Sequence, residues 1–296
     1  MVKNKTLKGV LLVGLGASCY GMLATFVKMA YQEGYTTAEV SGSQFILGFI
    51  GLLILNLFRK KSNRQEEVQI SKHHIRQLIL AGTSIGFTSV FYYLSVKYVA
   101  VSIAIVLLMQ TVWMGVVLEM FLDKKRPSTQ KIIAVIVTLT GTVLATKLLH
   151  DSLIIEWKGF FWGLLAAATY TANMYSSNKI ATEISSSQRS LYMIIGGAIV
   201  VILFGFITLN TAFQFSIFIK WGLFLSLFGT IIPPLLLNTG FPLTGIGLGS
   251  IVSALELPIS VMMAYFLLAE KVILEQWLGI VLIIAAIVFM NIRLKK

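Results

Sequence analysis

"PLTGIGLGSIVSALELPISVMMAYFLLA", residues 242–269, contains one formally charged residue, Glu256, with Pro258 two positions after it. The run is long enough to cross a hydrocarbon core, which takes about 20 residues of helix. A lone carboxylate and a helix-breaker inside such a run need surroundings other than lipid.

The same apolar character extends along the chain. Of 296 residues, 57% are hydrophobic and 12% are charged, whereas soluble domains carry roughly a quarter charged residues. Ten apolar runs follow one another, at 8–29, 37–58, 75–95, 98–121, 130–148, 158–178, 190–209, 218–238, 243–268 and 275–292. Backbone polar groups must be satisfied internally in lipid, so helices are expected. Barrel strands would be segments of about ten residues with alternating polarity, and these runs are continuous. The sequence predicts an all-α polytopic membrane protein with ten transmembrane helices and no soluble domain.

The net charge of +12 invites a nucleic-acid reading that its placement opposes. With the N-terminus taken as cytoplasmic, 18 Lys and Arg fall at inner loops and span ends, Lys179 and Arg189 among them, and 6 fall outside. That bias fits the positive-inside rule with both termini in the cytoplasm, as expected of a multi-pass protein of the cell (inner or plasma) membrane. The basic run "FRKKSNRQEEVQISKHHIRQ" (58–77) then faces anionic headgroups. Near the start, Lys3, Lys5 and Lys8 before an apolar run resemble a signal peptide, and "GASC" (16–19) resembles a lipoprotein box. The apolar stretch continues past Cys19, which suits a retained first span. A single cysteine excludes an internal disulfide framework.

The chain also repeats. Shifted by 150, "KGVLLVGLGASCY" (8–20) lies over "KGFFWGLLAAATY" (158–170); shifted by 146, "YVAVSIAIVLLMQTVW" (98–113) lies over "TGIGLGSIVSALELPI" (244–259). The expected division is a first five-helix repeat over 1–148 and a second over 149–296, in one membrane domain. Five spans is an odd number, so the second repeat enters from the opposite side. Inverted repeats with a midplane site are a recurrent transporter plan. The 146 shift pairs Gln110 with Glu256, both near the centres of their spans.

These features resemble EamA-type members of the drug/metabolite transporter superfamily. The resemblance is carried by "GSIVSALELPISVMMAYFLLAEKVILEQWLGIVLIIAAIVFMN" (249–291), with its mid-span Glu-Leu-Pro, then Ala269-Glu270-Lys271, Gln276 and Gly279. The first half, "VSIAIVLLMQTVWMGVVLEMFLDKKRPSTQKIIAVIVTLTGTVLA" (101–145), keeps the span pattern. It has Val112 where many first halves carry proline and Lys124 where an acidic loop residue is usual. The resemblance implies a ten-helix inner-membrane carrier of small metabolites, amino acids among them, with a central cavity between the halves.

The candidate site follows from polar residues in apolar runs. An ionised Glu at a helix centre costs about 2.5–3.5 kcal/mol on insertion scales, and an acid that exchanges protons between states suits coupling. Glu256 is the candidate coupling residue; its alternative role is a protonated bond to a neighbouring helix. Pro258 removes a backbone N–H and is expected to free a carbonyl near Ala254, so this segment should face the bundle interior. Candidate substrate-binding residues are Tyr20, Gln110, Trp113, Tyr170, Asn173, Asn238 and Glu256. Thr111 clusters with Gln110 and Trp113. Tyr92, Tyr93 and Ser95 suit an aromatic belt equally well, and Asn173, Asn178 and Asn238 suit helix–helix bonding. Pro233, Pro234 and Pro258 are candidate hinges.

Other chemistry finds little support. "TGIGLGS" (244–250) lacks the strand and crevice of a phosphate loop, and its glycines instead suit close helix approach. His73-His74 are adjacent, so a helix points them apart, and no metal site or cofactor is expected. Catalytic motifs are missing. The expected function is a secondary transporter, an exporter of aromatic or other zwitterionic metabolites such as amino acids, working by alternating access with protons as the candidate partner. Alternatives are a facilitator, or a carrier of nucleosides, vitamins or drugs. An intramembrane enzyme would need facing catalytic pairs, and a channel filter several copies of its motif around a pore.

Overall fold

The computed structural model describes residues 2–62, 70–99, 101–146, 156–269 and 271–291. The expected repeat boundary at 148, Glu270 and part of the basic loop lie outside them. The described residues form helices and contain no strand. In chain order the helices are α1 (Val2–Gln32), α2 (Thr37–Ser62), α3 (Lys72–Tyr98), α4 (Val101–Leu108), α5 (Thr111–Asp123), α6 (Thr129–Ala145) and α7 (Trp157–Lys179). There follow α8 (Ser186–Thr208), α9 (Ser216–Lys220), α10 (Gly222–Ser226), a π turn (Leu227–Ile231), α11 (Ile232–Thr244), α12 (Ile246–Ser253), α13 (Glu256–Leu268) and α14 (Leu274–Asn291).

Seven of the resulting stretches are long and apolar enough to cross a membrane, and Thr129–Ala145 and Leu274–Met290 are shorter apolar helices. The tenth span is α7. Its apolar character is diluted by Thr171, Asn173, Ser176, Ser177 and Asn178, all buried, so its polar side faces protein. Large apolar side chains such as Leu80, Phe121, Ile207 and Val281 lie exposed, the surface a bilayer would cover.

The starts of several helices are written locally. Ser71 and Ser128 cap α3 and α6 by accepting from the His74 and Lys131 amides. Thr36 and Glu39 form a capping box at α2, with the Thr36 amide donating to Glu39 at 2.7 Å. Ser185 and Gln188 repeat that spacing at α8. The Thr36–Glu39 pair is reciprocal and satisfies two amides that a helix start leaves unpaired, whereas at α8 Ser185 Oγ accepts from the Gln188 amide and donates to Gln188 Oε1 at 2.9 Å.

Two spans read as continuous are broken. The fourth divides into α4 and α5 at Met109–Gln110, and the ninth into α12 and α13 at Ala254–Leu255. At each break, tight bonds to the third residue back replace the regular ladder: Gln110 N to Leu107 O and Val112 N to Met109 O, against Leu255 N to Val252 O and Leu257 N to Ala254 O. The breaks superpose with a shift of 145, one less than the sequence match. Thr111, not Gln110, is therefore the counterpart of Glu256. The Ala254 carbonyl is also occupied rather than freed, because Leu257 N takes it at 3.2 Å.

The packing obeys a two-fold exchange of the repeats. Span one packs on spans eight and nine (α1 on α11, α12 and α13), and span six packs on spans three and four (α7 on α3, α4 and α5). Span two meets span seven, span four meets span nine, and span five meets span ten. Two bundles result: α1 and α2 with α9 to α13, and α7 and α8 with α3 to α5. Each draws on both repeats, so the halves interleave. Glycines permit the close crossings: a Cβ on Gly196 would strike the Ile79 carbonyl, and one on Gly82 the Met193 carbonyl. Small residues at such crossings let helix backbones touch. Between α6 and α14, Gln276 donates to Ala145 O at 2.9 Å and Gln130 to Phe289 O at 2.5 Å, closing the pair at both ends.

Candidate functional site

The break in span nine positions Glu256. It is the first residue of α13, where the helix dipole favours an anion. Pro258 follows within the first turn, where a missing N–H leaves no intrahelical bond unmade. A Cβ on Gly21 would meet the Glu256 carbonyl, so α1 crosses α13 in backbone contact and sets Tyr20 beside the acid. The Tyr20 ring meets Tyr170 edge-on, with centroids 6.4 Å apart. Tyr170 belongs to the other bundle, and its hydroxyl donates to Glu256 Oε2 across a long 3.5 Å. Among the described residues, Glu256 forms no ion pair.

Next to this group lies a void of about 10 Å³, close to the size of a single water, with Tyr20, Asn173, Ser177, Met193, Pro234 and Asn238 in its wall. That volume is below the roughly 300–1,000 Å³ usual for ligand pockets, so the bundles are drawn together here. Asn173 and Asn238 each bury a side-chain Oδ1 that has no partner among the described residues. Buried polar atoms are normally paired with protein, ligand or water, so each of these Oδ1 atoms is an open acceptor.

Of the predicted residues, Tyr20, Asn173, Asn238 and Pro234 line the cavity, and Tyr170 and Glu256 adjoin it through Tyr20. Gln110 and Trp113 stand apart, outside the cavity wall. Trp113 Nε1 donates to Gln110 Oε1 at 2.9 Å, Gln110 Nε2 turns back to Val106 O, and the indole is 39% exposed. Thr111 instead turns inward, its hydroxyl 2.8 Å from that of Thr171. Tyr93 meets Tyr31 between the bundles, with centroids 6.5 Å apart. Pro233 and Pro234 open α11. The turn before them widens to a π turn, closed by Ile232 N on Leu227 O, because two successive prolines cannot donate back into a regular ladder.

Sequence reading missed Arg189. Counted as an inner-loop charge, it is in fact 1% exposed. Its Nε donates to Ile180 O at 3.0 Å, Nη1 to Asn238 O at 2.6 Å, and Nη2 to Ser176 O and Ser177 O at 3.2 and 2.7 Å. The α7 carbonyls form the negative end of that helix. Ser190 accepts from Asn238 Nδ2 at 2.9 Å. Near the same end, Glu119 pairs with Lys131 and accepts from Gly247 N at 3.3 Å. A Cβ on Gly247 would crowd that carboxylate, which accounts for a glycine in "TGIGLGS".

The sequence model of the EamA-like transporter family matches residues 7–147 and 157–292. The chain belongs to this family. It is a multi-pass membrane protein and a small-molecule transporter of the drug/metabolite superfamily. No curated protein sequence matches it individually. A solved structure titled "Crystal structure of protein" superposes with a TM-score of 0.79 over 97% of each chain at 13% identity, a likeness of fold alone. In this EamA-like transporter Tyr20, Tyr170 and Glu256 meet on the boundary between the two interleaved bundles.

Proposed function

We propose that this chain is a secondary transporter that exports small zwitterionic or aromatic metabolites, such as amino acids, by alternating access. Its place is the cell membrane, with both termini cytoplasmic. The observation that carries the reading is Glu256: an acid without a cationic partner among the described residues, on one bundle, facing a tyrosine of the other beside a small cavity whose wall includes Asn173 and Asn238. An intramembrane acid of this kind marks a substrate or proton pathway. Glu256 is the coupling group; Tyr20, Tyr170, Asn173 and Asn238 contact substrate, with Gln110 and Trp113 as outlying members; Pro233, Pro234 and Pro258 serve as hinges. The repeats are 1–148 and 149–296.

Proteoliposome uptake of a labelled amino-acid and metabolite mixture, with and without a pH gradient, tests this for wild type and Glu256→Gln. Saturable uptake of one class, stimulated by the gradient in wild type alone, is expected. Equal gradient-independent uptake by both proteins would make this a facilitator with a structural Glu256.

A further inference from the structure

The two ends of the molecule differ more than an exchange of repeats allows. The N-caps Thr36 and Ser185, accepting from the Glu39 and Gln188 amides, put α2 and α8 in register with a shift of 149, so Arg189 corresponds to Val40, which is fully buried and apolar. Around Arg189 the bundles are joined. From the bundle of α7 and α8, Arg189 Nη1 donates to Asn238 O at 2.6 Å and Asn178 Nδ2 to Phe241 O at 2.6 Å. In return, Asn238 Nδ2 donates to Ser190 Oγ at 2.9 Å. Accordingly α11 packs on both α7 and α8, while its counterpart α3 reaches α1 through the Tyr31–Tyr93 ring contact, without packing of comparable extent on α1 or α2 among the described residues. The cavity lies directly behind this seam, since Ser177, Met193 and Asn238 belong to its wall.

We propose that Arg189 is the pin of a gate at the α7–α8 end: its guanidinium ties the end of α7 to α11 of the other bundle and holds Asn238 in the cavity wall. One planar fork reaches four carbonyls from three separate nitrogens, a spread that the three donors of a lysine ammonium, sharing one nitrogen, do not match. Hydrogen bonds from a charged donor are the strong ones. The gate at the opposite end, with Val40 in the equivalent place, parts more readily, so the resting transporter favours the state closed at the α7–α8 end. Arg189 acts through Asn238 and is a positioning residue. The proposal rests on alternating access, but its readout needs no substrate.

The test is the labelling rate of Ser177→Cys, in a Cys19→Ser background, by a membrane-impermeant charged maleimide applied from either face of proteoliposomes. With Arg189 present, labelling from the α7–α8 face is slow. Arg189→Gln should raise it on the order of tenfold without raising it from the other face, and Arg189→Lys should resemble Arg189→Gln. Asn178→Ala removes a second bond of the same seam and should act in the same direction, more weakly; it serves if Arg189→Gln does not reconstitute. Unchanged rates, full rescue by lysine, or equal acceleration from both faces (a generally loosened fold) would overturn the proposal. A failure of the substrate reading would leave these rates unaffected.

Discussion

Glu256 and Pro258 show how far single residues can be read. Their presence in an apolar run signals a protein-lined interior, and the structure sets them beside Tyr20 and Tyr170. The geometry of the break was not legible, because a helix interior and a first turn carry the same letters. In a first turn Pro258 costs little, so Pro258→Ala should change thermal stability by less than about 1 kcal/mol. A gain of several kcal/mol in a melt of the purified protein would point to a continuous helix, whose interior proline alanine would relieve. Arg189 was misplaced for another reason: counting charges by position cannot tell a guanidinium in water from one enclosed by carbonyls. Gln110 and Trp113 sat in the right span but bond to each other, because a shift of one residue rotates a helical side chain by about 100°.

Among the elements, the spans themselves were the most legible feature, since hydrocarbon thickness fixes their length. Their interruptions were not. Span eight continues to Thr244 through a π turn and two prolines, where the apolar pattern suggested an end near 238. Replacing both Pro233 and Pro234 by alanine should restore a regular ladder. If the π turn is a hinge, transport should slow several-fold while the melting temperature does not fall. A lower melting temperature at unchanged rate would make the prolines structural only. At the α3–α8 crossing, Gly196→Ala should cost about 1–3 kcal/mol, because its methyl would meet the Ile79 carbonyl. A melting temperature equal to wild type would refute that.

At the scale of the whole molecule, the inverted repeat was visible in span order, but the mutual packing of the repeats was not. Hydropathy records which faces avoid water and not which partner they meet. The orientation we propose from the 18 to 6 distribution of Lys and Arg predicts that cysteines introduced near either terminus, in a Cys19→Ser background, react from the cytoplasmic face alone. Labelling of the two termini from opposite faces would contradict an even number of spans.

The interleaving bears on how the chain is made. The first five spans leave the ribosome before the partners they pack on most extensively: α1 awaits α11 to α13, α3 awaits α7 and α8, and α6 awaits α14. Until then the backbone-deep notches at Gly21 and Gly82 lie open to lipid, and the first repeat has no core of its own. Synthesis must therefore run almost to the last residue before the protein holds together. A chain cut short anywhere in its second half would leave a set of inserted helices for quality control to remove rather than a smaller working unit.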